Sequence, residues 1–405
     1  MLTVTLAFHS LRNRLLTTTL TVASIALSVT LLVGVENVRA GVRESFAGTI
    51  RGTDLIVGAR GGSLQILLSS VFGIGLPAGS IAMPTYERWS RHRAVAWTIP
   101  IALGDSHRGF RVIGTNESFY EHFRFRRDGR VTFASGAPAA TERDVVLGAD
   151  AAARLGYQPG DSIVVTHGLA GVGASEHETT PFVVKGILAR TFTPIDRALY
   201  VTLDGIEHMH EGYGPGAPPP QGRVISAFFV GARNRMDALN VQREVNTDLR
   251  EPLTAVIPGI ALAELWQGVG NAEAGLKVVA GFTVLIGLIG MLVALYSSLE
   301  ARRREMAILR AVGAGPRRIV SLLVLESGLL STLGSVLGIG LVYLTLILAQ
   351  GPVEQRFGLY VPIRALGQTE WMYVGIIVAA GFLVGFVPAF KAYRTSLLDG
   401  LAPRV

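Results

Sequence analysis

Long apolar runs and shorter polar segments alternate along this chain. Four runs reach the roughly 20 residues that a helix needs to cross a bilayer. They are Leu15–Val35, Val278–Leu299, Ile319–Ala349 and Trp371–Phe390, and only the third carries a charge, Glu326, near its start. The pattern predicts four transmembrane helices. The first run is longer than the apolar part of a signal peptide, so we expect it to remain as an anchor.

Residues 36–277 follow a different pattern, of short β-branched and aromatic runs separated by turn residues. Strands are predicted for DLIVGA, FRVIGT, DSIVVTH, FVVKGILA, ALYVTL and ISAFFVGA. The stretch ERDVVLGADAAARLGYQPGDSIVV predicts a strand, a helix over 149–155, a Pro-Gly-Asp turn and a strand, whereas GYGPGAPPPQG (212–222) predicts a loop. Both ends, 36–50 and 260–277, predict helical stalks. The fold class is therefore an α-helical membrane protein with four transmembrane helices plus a large α+β domain inserted between helices 1 and 2.

Positive charge orients the predicted helices, because loops on the cytoplasmic side carry an excess of Lys and Arg. The flanking charges are Arg12, Arg14, Arg302, Arg303, Arg304, Arg310, Arg317, Arg318, Lys391 and Arg394. These charges place the N-terminal end (1–14), residues 300–318 and the C-terminal residues 391–405 on the cytoplasmic side. Residues 36–277 and the charge-balanced loop 350–370 are then expected outside.

Composition narrows the classes of function. Only 17% of residues are charged, mean hydropathy is +0.42 and the net charge of +7 comes mostly from Arg. We attribute this excess to topology, so no nucleic-acid partner is expected. The absence of cysteine excludes disulfides, thiolate metal sites and a cysteine nucleophile. None of the three lysines follows a glycine, so no Gly-Lys-Ser/Thr phosphate loop is present and the chain is expected to be non-catalytic.

The densest positive charge lies in SLEARRREMAILRAVGAGPRRIV, residues 298–320. Glu300 to Val312 predicts an amphipathic helix, since Met306, Leu309 and Val312 share one face and charge pairs support its turns. Gly313 and Gly315 then end it. Two interpretations stay open: an arginine-rich loop on anionic lipid headgroups, or an element that docks on a partner and transmits force.

A family resemblance bears on that choice. SSLEARRREMAILRAVGAGPRRIVSLLVLESGLLSTLGSVLG (297–338) resembles the permease signature of FtsX/MacB-type ABC transporter permeases, the macrolide-exporter-like and lipoprotein-releasing-like group. VVLGADAAARLGYQPGDSIVV (145–165) resembles the MacB-like periplasmic core domain, and VPAFKAYRTSLLDGLAP (387–403) resembles the closing helix, although Ser396 stands where the family usually has a proline. The resemblance implies a multi-pass protein of the bacterial inner membrane, with residues 36–277 in the periplasm.

The resemblance also implies roles for individual residues. The helix within 300–318 would be the coupling element that docks on a cytoplasmic ATPase. Its apolar contacts would be Met306, Ile308, Leu309 and Val312, and its polar contacts Arg303, Arg304 and Arg310. For Glu326 we weigh a structural pairing with Arg317 or Arg318 near the headgroups against a direct role in transmission.

The resulting hypothesis is a permease subunit without a fused ATPase. It transmits the motion of a separate cytoplasmic ABC ATPase to the periplasmic domain, to export or extract a hydrophobic or amphiphilic cargo such as a lipoprotein, peptide or drug. ATP and Mg would act through that partner, with no cofactor in this chain. Further expected partners are a second permease copy forming a dimer, membrane lipids, and a periplasmic adaptor or lipoprotein. The alternatives are an FtsX-like regulatory subunit that activates a periplasmic partner, and a metal-linked transport component.

Three weaker patterns complete the predictions. Glu207, His208 and His210 are candidate metal ligands, because an i,i+2 pair shares one face of a strand, against the alternative of a solvated segment. SLQILLSSVFGIGLPAGSI (63–81) is either ordinary core or an exposed apolar element. The pairs Gly334/Gly338 and Gly381/Gly385 would permit close helix packing.

Overall fold

The structure is a computed structural model that describes residues 15–126, 129–167, 181–210, 223–301, 315–357 and 363–398. It divides into two compact units. The first, here called the bundle, comprises residues 1–41, 270–350 and 362–405, and the second, here called the core domain, comprises 42–269 and 351–361.

The described part of the bundle belongs to four long helices, each apolar enough to cross a membrane. They are α1 (Leu15–Thr49), α8 (Pro258–Ala301), α9 (Pro316–Phe357) and α10 (Gln368–Leu398). Each helix extends beyond the apolar run that predicted it, and α9 does so through Gly351 and Pro352. The first and second continue through the segments in which stalks were expected, 36–49 and 260–277.

Small helices surround a sheet in the core domain. The helices are α2 (Ser63–Val71), α3 (Met83–Ser90), α4 (Glu117–His122), α5 (Ala149–Leu155), α6 (Leu203–His210) and α7 (Arg235–Thr247), with a 3₁₀ turn at Pro194–Arg197. The strands up to the middle of the domain are β1 (Leu55–Ala59), β2 (Ile81–Ala82), β3 (Val95–His107), β4 (Phe110–Thr115), β5 (Arg124–Phe125), β6 (Gly129–Arg130), β7 (Phe133–Gly136) and β8 (Asp144–Leu147). The remaining strands are β9 (Ser162–Ile163), β10 (Thr166–His167), β11 (Phe182–Leu188), β12 (Ala198–Thr202), β13 (Val224–Ile225), β14 (Ala227–Ala232) and β15 (Leu253–Val256).

Eleven strands form one mixed sheet in the order β15-β1-β14-β3-β4-β12-β8-β11-β7, with β10 on β3 and β9 on β11. The β12/β4 and β11/β8 pairs are parallel, and the other pairs of this sheet are antiparallel. The sheet with its flanking helices confirms the predicted α+β class.

Alternation along the strands separates three apolar clusters. Phe229 and Tyr200 point to one face, which carries a single cluster along the whole sheet. Their neighbours Phe228 and Leu199 point to the other face, where the clusters are separate. Because successive side chains of a strand point to opposite faces, a strand that is covered on both faces carries apolar residues at consecutive positions. Helices α2 and α4 cover the first face, α3 and α7 the second cluster, and α5 and α6 the third.

Several local predictions need correction. The central strand β3 was not predicted, because Pro100 and Gly104 interrupt its apolar pattern. Pro100 nevertheless pairs with Phe228, and Gly104 lies at a register shift between β3 and β4. The run DSIVVTH forms two short strands on different partners rather than one. The loop predicted for 350–370 is partly helical, because α9 continues to Phe357.

The apolar stretch 63–81 combines both of its interpretations. Its first half is α2, whose Ile66 and Leu67 are buried in the first cluster. Its second half is a loop, in which Ile74 and Leu76 are 53% and 65% exposed. The predicted loop 212–222 lies outside the described residues.

Candidate functional site

Small residues bring α9 and α10 into close contact. Ser327 and Ser331, four positions apart on one face of α9, are fully buried. Ser331 Oγ donates a hydrogen bond to the Ile377 carbonyl of α10 at 3.0 Å. A Cβ added at Gly381 would lie 2.3 Å from Ser331 Cβ, and one at Gly385 would lie 2.0 Å from Ser327 Oγ. This interface therefore depends on the missing side chains of the two glycines.

The opposite contact of α9, with α1, uses the other predicted glycine pair. A Cβ at Gly334 would lie 2.7 Å from Ile25 Cβ, and one at Gly338 would lie 2.7 Å from the Ala26 carbonyl oxygen. Thr30 Oγ1 of α1 donates to the Gly338 carbonyl at 3.1 Å. Such small-residue contacts are the usual means of helix association in lipid. Both glycine pairs are thus occupied by packing inside one chain.

Helix α1 in turn contacts α8. Ser28 Oγ donates to the Thr283 carbonyl oxygen at 3.0 Å, and a Cβ at Gly287 would lie 2.9 Å from that Ser28 oxygen. These contacts join α8 to α1, α1 to α9 and α9 to α10, and Lys391 of α10 also contacts the Tyr296 ring of α8. A displacement of α8 or α9 would therefore strain the contacts that α1 makes with both.

Glu326 lies next to the buried serines of α9 and is only 3% exposed. The arginines weighed as its partners, Arg317 and Arg318, are exposed at the start of the same helix. A buried carboxylate in a membrane-spanning helix is costly and marks a functional position by default. Its proposed role in transmission remains a prediction.

Charged side chains join α1 and α8 where their apolar segments end. Glu36, 4% exposed, forms an ion pair with Arg39, whose Nη1 also lies 3.1 Å from Glu273 Oε2. Lys277 Nζ lies 3.8 Å from Glu36 Oε2. Two acidic and two basic residues thus connect the two helices. The sequence contained an indication of this cluster, because Glu36 directly follows the first apolar run and Lys277 directly precedes the second.

The start of α9 borders the segment predicted to dock on an ATPase. A shallow apolar groove of about 500 Å³ is lined there by Val320, Val324 and Phe386, with Arg317 at its rim. Nearby in the bundle, Lys391 Nζ lies 3.8 Å from the centre of the Tyr296 ring. The seven predicted coupling residues Arg303, Arg304, Met306, Ile308, Leu309, Arg310 and Val312 lie outside the described residues. Their docking role is untested.

The predicted metal ligands Glu207, His208 and His210 lie on a helix, α6. Residues two apart share one face of a strand but point about 200° apart on a helix, so His208 and His210 do not share a face of α6. Glu207 forms an ion pair with Arg223, which also lies 2.9 Å from Asp204. These contacts, with Glu207 first, raise the pKa of Arg223. The side chains of both histidines lie outside the described ones, so a metal site there stays a prediction.

Two family models match this chain, one over its first part and the other over its last part. The family described as "MacB-like periplasmic core domain" matches residues 18–247, more than half of the chain. The family described as "FtsX-like permease C-terminal" matches residues 277–397. The first match covers α1 and most of the core domain, and the second covers the described helices from the middle of α8 onwards.

Individual relatives agree with these matches. The chain is 32% identical over 127 residues to a macrolide export ATP-binding/permease protein MacB of Photorhabdus laumondii, covering 31% of this chain and 19% of that protein. It is 30% identical over 119 residues to an uncharacterized ABC transporter permease of Methanocaldococcus jannaschii, covering 29% of this chain and 28% of that protein. The extracellular domain of the noncanonic ABC-type transporter YknZ from Gram-positive bacteria aligns with a TM-score of 0.32 and 11% identity, over 51% of this chain and 98% of that domain. The matched regions span under a third of the length of these curated relatives. Together with the two family models, these similarities show that the chain belongs to the family of MacB/FtsX-type ABC transporter permeases with a MacB-like periplasmic core domain.

Proposed function

We propose that this chain is a non-catalytic permease subunit that transmits the ATP-driven motion of a separate cytoplasmic ABC ATPase to its core domain. The observation that carries this proposal is the position of segment 302–314 in the chain. The segment joins α8, which ends at Ala301, to α9, which begins at Pro316, and α8 starts as far back as Pro258. A force applied to the segment would act on both helices, and through α8 on residues that belong to the core domain.

The packing of the bundle supports this role for the segment. Helix α9 contacts α1 through Gly334 and Gly338 and contacts α10 through Ser327 and Ser331. Contacts this close favour motion of the helices as a unit, because packed interfaces shift between discrete arrangements rather than deforming smoothly. In this mechanism Glu326, buried beside Ser327 on α9, is a transmission residue.

The work delivered to the core domain would export or extract a hydrophobic or amphiphilic cargo such as a lipoprotein, peptide or drug. The name of the Photorhabdus relative joins "ATP-binding" to "permease", so we propose that this chain supplies the permease function and a partner supplies ATP and Mg binding. We further propose a second permease copy, a periplasmic adaptor or lipoprotein, and the bacterial inner membrane as the location.

Leu309→Glu tests the docking step. The full chain and the proposed ATPase partner would be co-expressed, purified together and assayed for ATP hydrolysis. A charge on an apolar docking face costs roughly 2 kcal/mol or more, so affinity should fall by about 30-fold and stimulated hydrolysis should be lost.

Ala311→Glu is the matched control, since it adds the same charge about 200° away on the predicted helix. Both the ATPase association and its stimulation should survive in this variant. If they also survive Leu309→Glu, the docking assignment is wrong.

A further inference from the structure

A cavity of about 440 Å³ lies in the core domain, on the face of the sheet that carries the single long cluster. This volume is in the range of small-molecule sites. Aromatic rings line one part of it: Phe46, Phe72, Phe119, Phe123, Tyr200 and Phe229. None of the residues assigned so far to coupling, transmission or metal binding lines it.

The aromatic part of the wall is packed ring against ring. Phe46 stacks on Phe72 with ring centres 4.5 Å apart, and Phe119 stacks on Tyr200 at 4.7 Å. The hydroxyl of the lining Ser69 is satisfied within its own helix, donating to the Gln65 carbonyl at 2.8 Å. An apolar chain is the ligand portion that such a wall accommodates best, because it leaves no polar group without a hydrogen-bond partner.

Two arginines interrupt this apolar wall at one edge. The parallel β4/β12 pair aligns Arg111 with Ala198, the residue that follows Arg197, so both arginines enter the cavity from the same end of the two strands. Arg111 Nη2 donates to the Gly75 carbonyl oxygen at 2.7 Å. Within the described part of the chain, no carboxylate lies at salt-bridge distance from Arg111.

The electrostatics of this edge favour an anion. Burial lowers the pKa of Arg111. Burial and then the nearby charge of Arg154 lower the pKa of Arg197, against a smaller opposite effect of Asp150. Lowered values mean that the protein environment disfavours the positive charge of each guanidinium. A bound anionic group would reverse that penalty through charge-assisted hydrogen bonds.

The rim beside Arg111 is a short glycine-containing loop. Gly73 and Gly75 have φ angles of +64° and +78°, which other residues rarely adopt. Between them Ile74 lines the cavity while remaining 53% exposed. Because Arg111 holds the Gly75 carbonyl, a ligand that engages this arginine also acts on the loop that carries Ile74.

We propose that this cavity binds an anionic amphiphile with a single apolar chain, its head paired with Arg111 and Arg197 and its chain against the aromatic wall. Only the further step, that such a molecule is the cargo, rests on the proposed transport function. Binding itself needs neither an ATPase nor a second copy.

Dodecanoate is the probe. The full-length protein in phosphatidylcholine nanodiscs would be titrated with radiolabelled dodecanoate, and binding to empty nanodiscs would be subtracted. We expect saturable binding of one molecule per chain. Arg111→Gln should raise the dissociation constant at least about tenfold, as loss of a charge-assisted hydrogen bond predicts, and Arg111→Lys should retain more of the binding.

Arg108→Gln is the matched control, since Arg108 is exposed three residues away and does not line the cavity. Its affinity should be unchanged, and dodecanol, with the same chain and no charge, should bind as weakly to the native protein as dodecanoate binds to Arg111→Gln. A photoreactive diazirine analogue of dodecanoate should label peptides that contain Phe72 or Ile113, both of which line the cavity.

Equal binding of dodecanoate and dodecanol, unchanged affinity in Arg111→Gln, or labelling confined to the membrane helices would overturn the site. If Arg111→Gln folds poorly, the diazirine map on the native protein still decides. Stimulation of the ATPase is measured separately: if it persists while dodecanoate fails to bind, only the cavity proposal fails, and if binding persists without any ATPase association, only the transport proposal fails.

Discussion

The core domain and the bundle differ in the residues that form their closest internal contacts. In the core domain Phe228 and Phe182 are fully buried between the sheet and its helices. The bundle also buries an apolar cluster that includes Ile25 and Val29, but glycines and serines form the closest contacts of α9 with α1 and α10. Large apolar side chains such as Phe282 of α8, which is 60% exposed, also lie on the surface of the bundle.

The difference reflects two solvents. In water, burying apolar surface drives folding, so bulk in the centre stabilises the domain. In lipid, the surroundings are as apolar as the side chains, so helices associate through close packing and through hydrogen bonds such as Ser331 to Ile377. A buried bulky side chain should consequently stabilise the core domain, whereas one added at a close glycine contact should disrupt the bundle.

The largest expected effect comes from removing bulk in the core domain. Phe228→Ala should cost about 3–5 kcal/mol, since it opens a cavity beneath the Tyr86 ring that contacts it. Hydrogen exchange of the β14 amides in the full chain should then accelerate by about 10²–10⁴-fold where exchange follows unfolding of the domain. Val183→Ala, at a 43% exposed position of β11, should change exchange little. If Phe228→Ala and Val183→Ala had equal effects, burial of large apolar side chains would not be what stabilises the core domain.

Adding bulk should damage the bundle. Gly338→Leu would force a side chain into the Ala26 carbonyl and Val29, at a cost of about 1–3 kcal/mol. The apparent midpoint for thermal loss of monodisperse protein should fall by several degrees. Gly340→Leu makes the same change two residues away, where a Cβ would have no neighbour within 4 Å, and should be tolerated. If Gly338→Leu is equally stable, α1 and α9 do not pack as described.

A single interhelical hydrogen bond should matter less. Ser331→Ala removes the donor to the Ile377 carbonyl and should cost about 0.6 kcal/mol in the same thermal assay. Ser321→Ala is the control, because that exposed hydroxyl bonds only within its own helix, to Arg318. A loss for Ser331→Ala as large as for Gly338→Leu would mean that polar bonds rather than close packing stabilise the bundle.

The smallest expected effect is a pH dependence confined to the core domain. Burial alone would raise the pKa of Asp144, but amide donors from Ala140 and Thr141 outweigh it and leave the pKa below the ordinary value. This carboxylate therefore contributes stability above its ordinary pKa and loses it as the pH falls through the lower, folded value.

Protection of the β8 amides, corrected for the intrinsic exchange rate at each pH, should fall on acidification below about pH 4, and Asp144→Asn should flatten that dependence. The amides of the bundle serve as the internal reference. Identical profiles for the native chain and Asp144→Asn would assign the acid sensitivity to other groups.

The bundle and the core domain also differ in how much of their structure the sequence predicts. Membrane helices follow from uninterrupted apolar length, so all four were found, and α5 was predicted at its observed bounds of 149–155. Strand β3 was missed because Pro100 and Gly104 break its pattern, although tertiary pairing with β14 and β4 overrides them. Likewise, the spacing of His208 and His210 could not show whether their segment is a strand or a helix, and the structure makes it part of α6.

The sites depend still more on tertiary contacts. Glycine pairs in an apolar run indicate close packing but not the partner, and only the structure assigns Gly338 to α1 and Gly385 to α10. The arginines of the cavity, Arg111 and Arg197, lie 86 positions apart in sequence and meet only through the parallel pairing of β4 with β12. No local pattern carries that information.

Topology is the most direct test of the proposed mechanism, because the segment that joins α8 to α9 must face the ATPase and the core domain must face the other side. The cysteine-free chain allows single labels at Ala311→Cys and Ser135→Cys, the latter in exposed strand β7. A membrane-impermeant maleimide applied to spheroplasts should label Ser135→Cys at once and Ala311→Cys only after the membrane is permeabilised. Labelling of Ala311→Cys from outside intact spheroplasts would contradict the account.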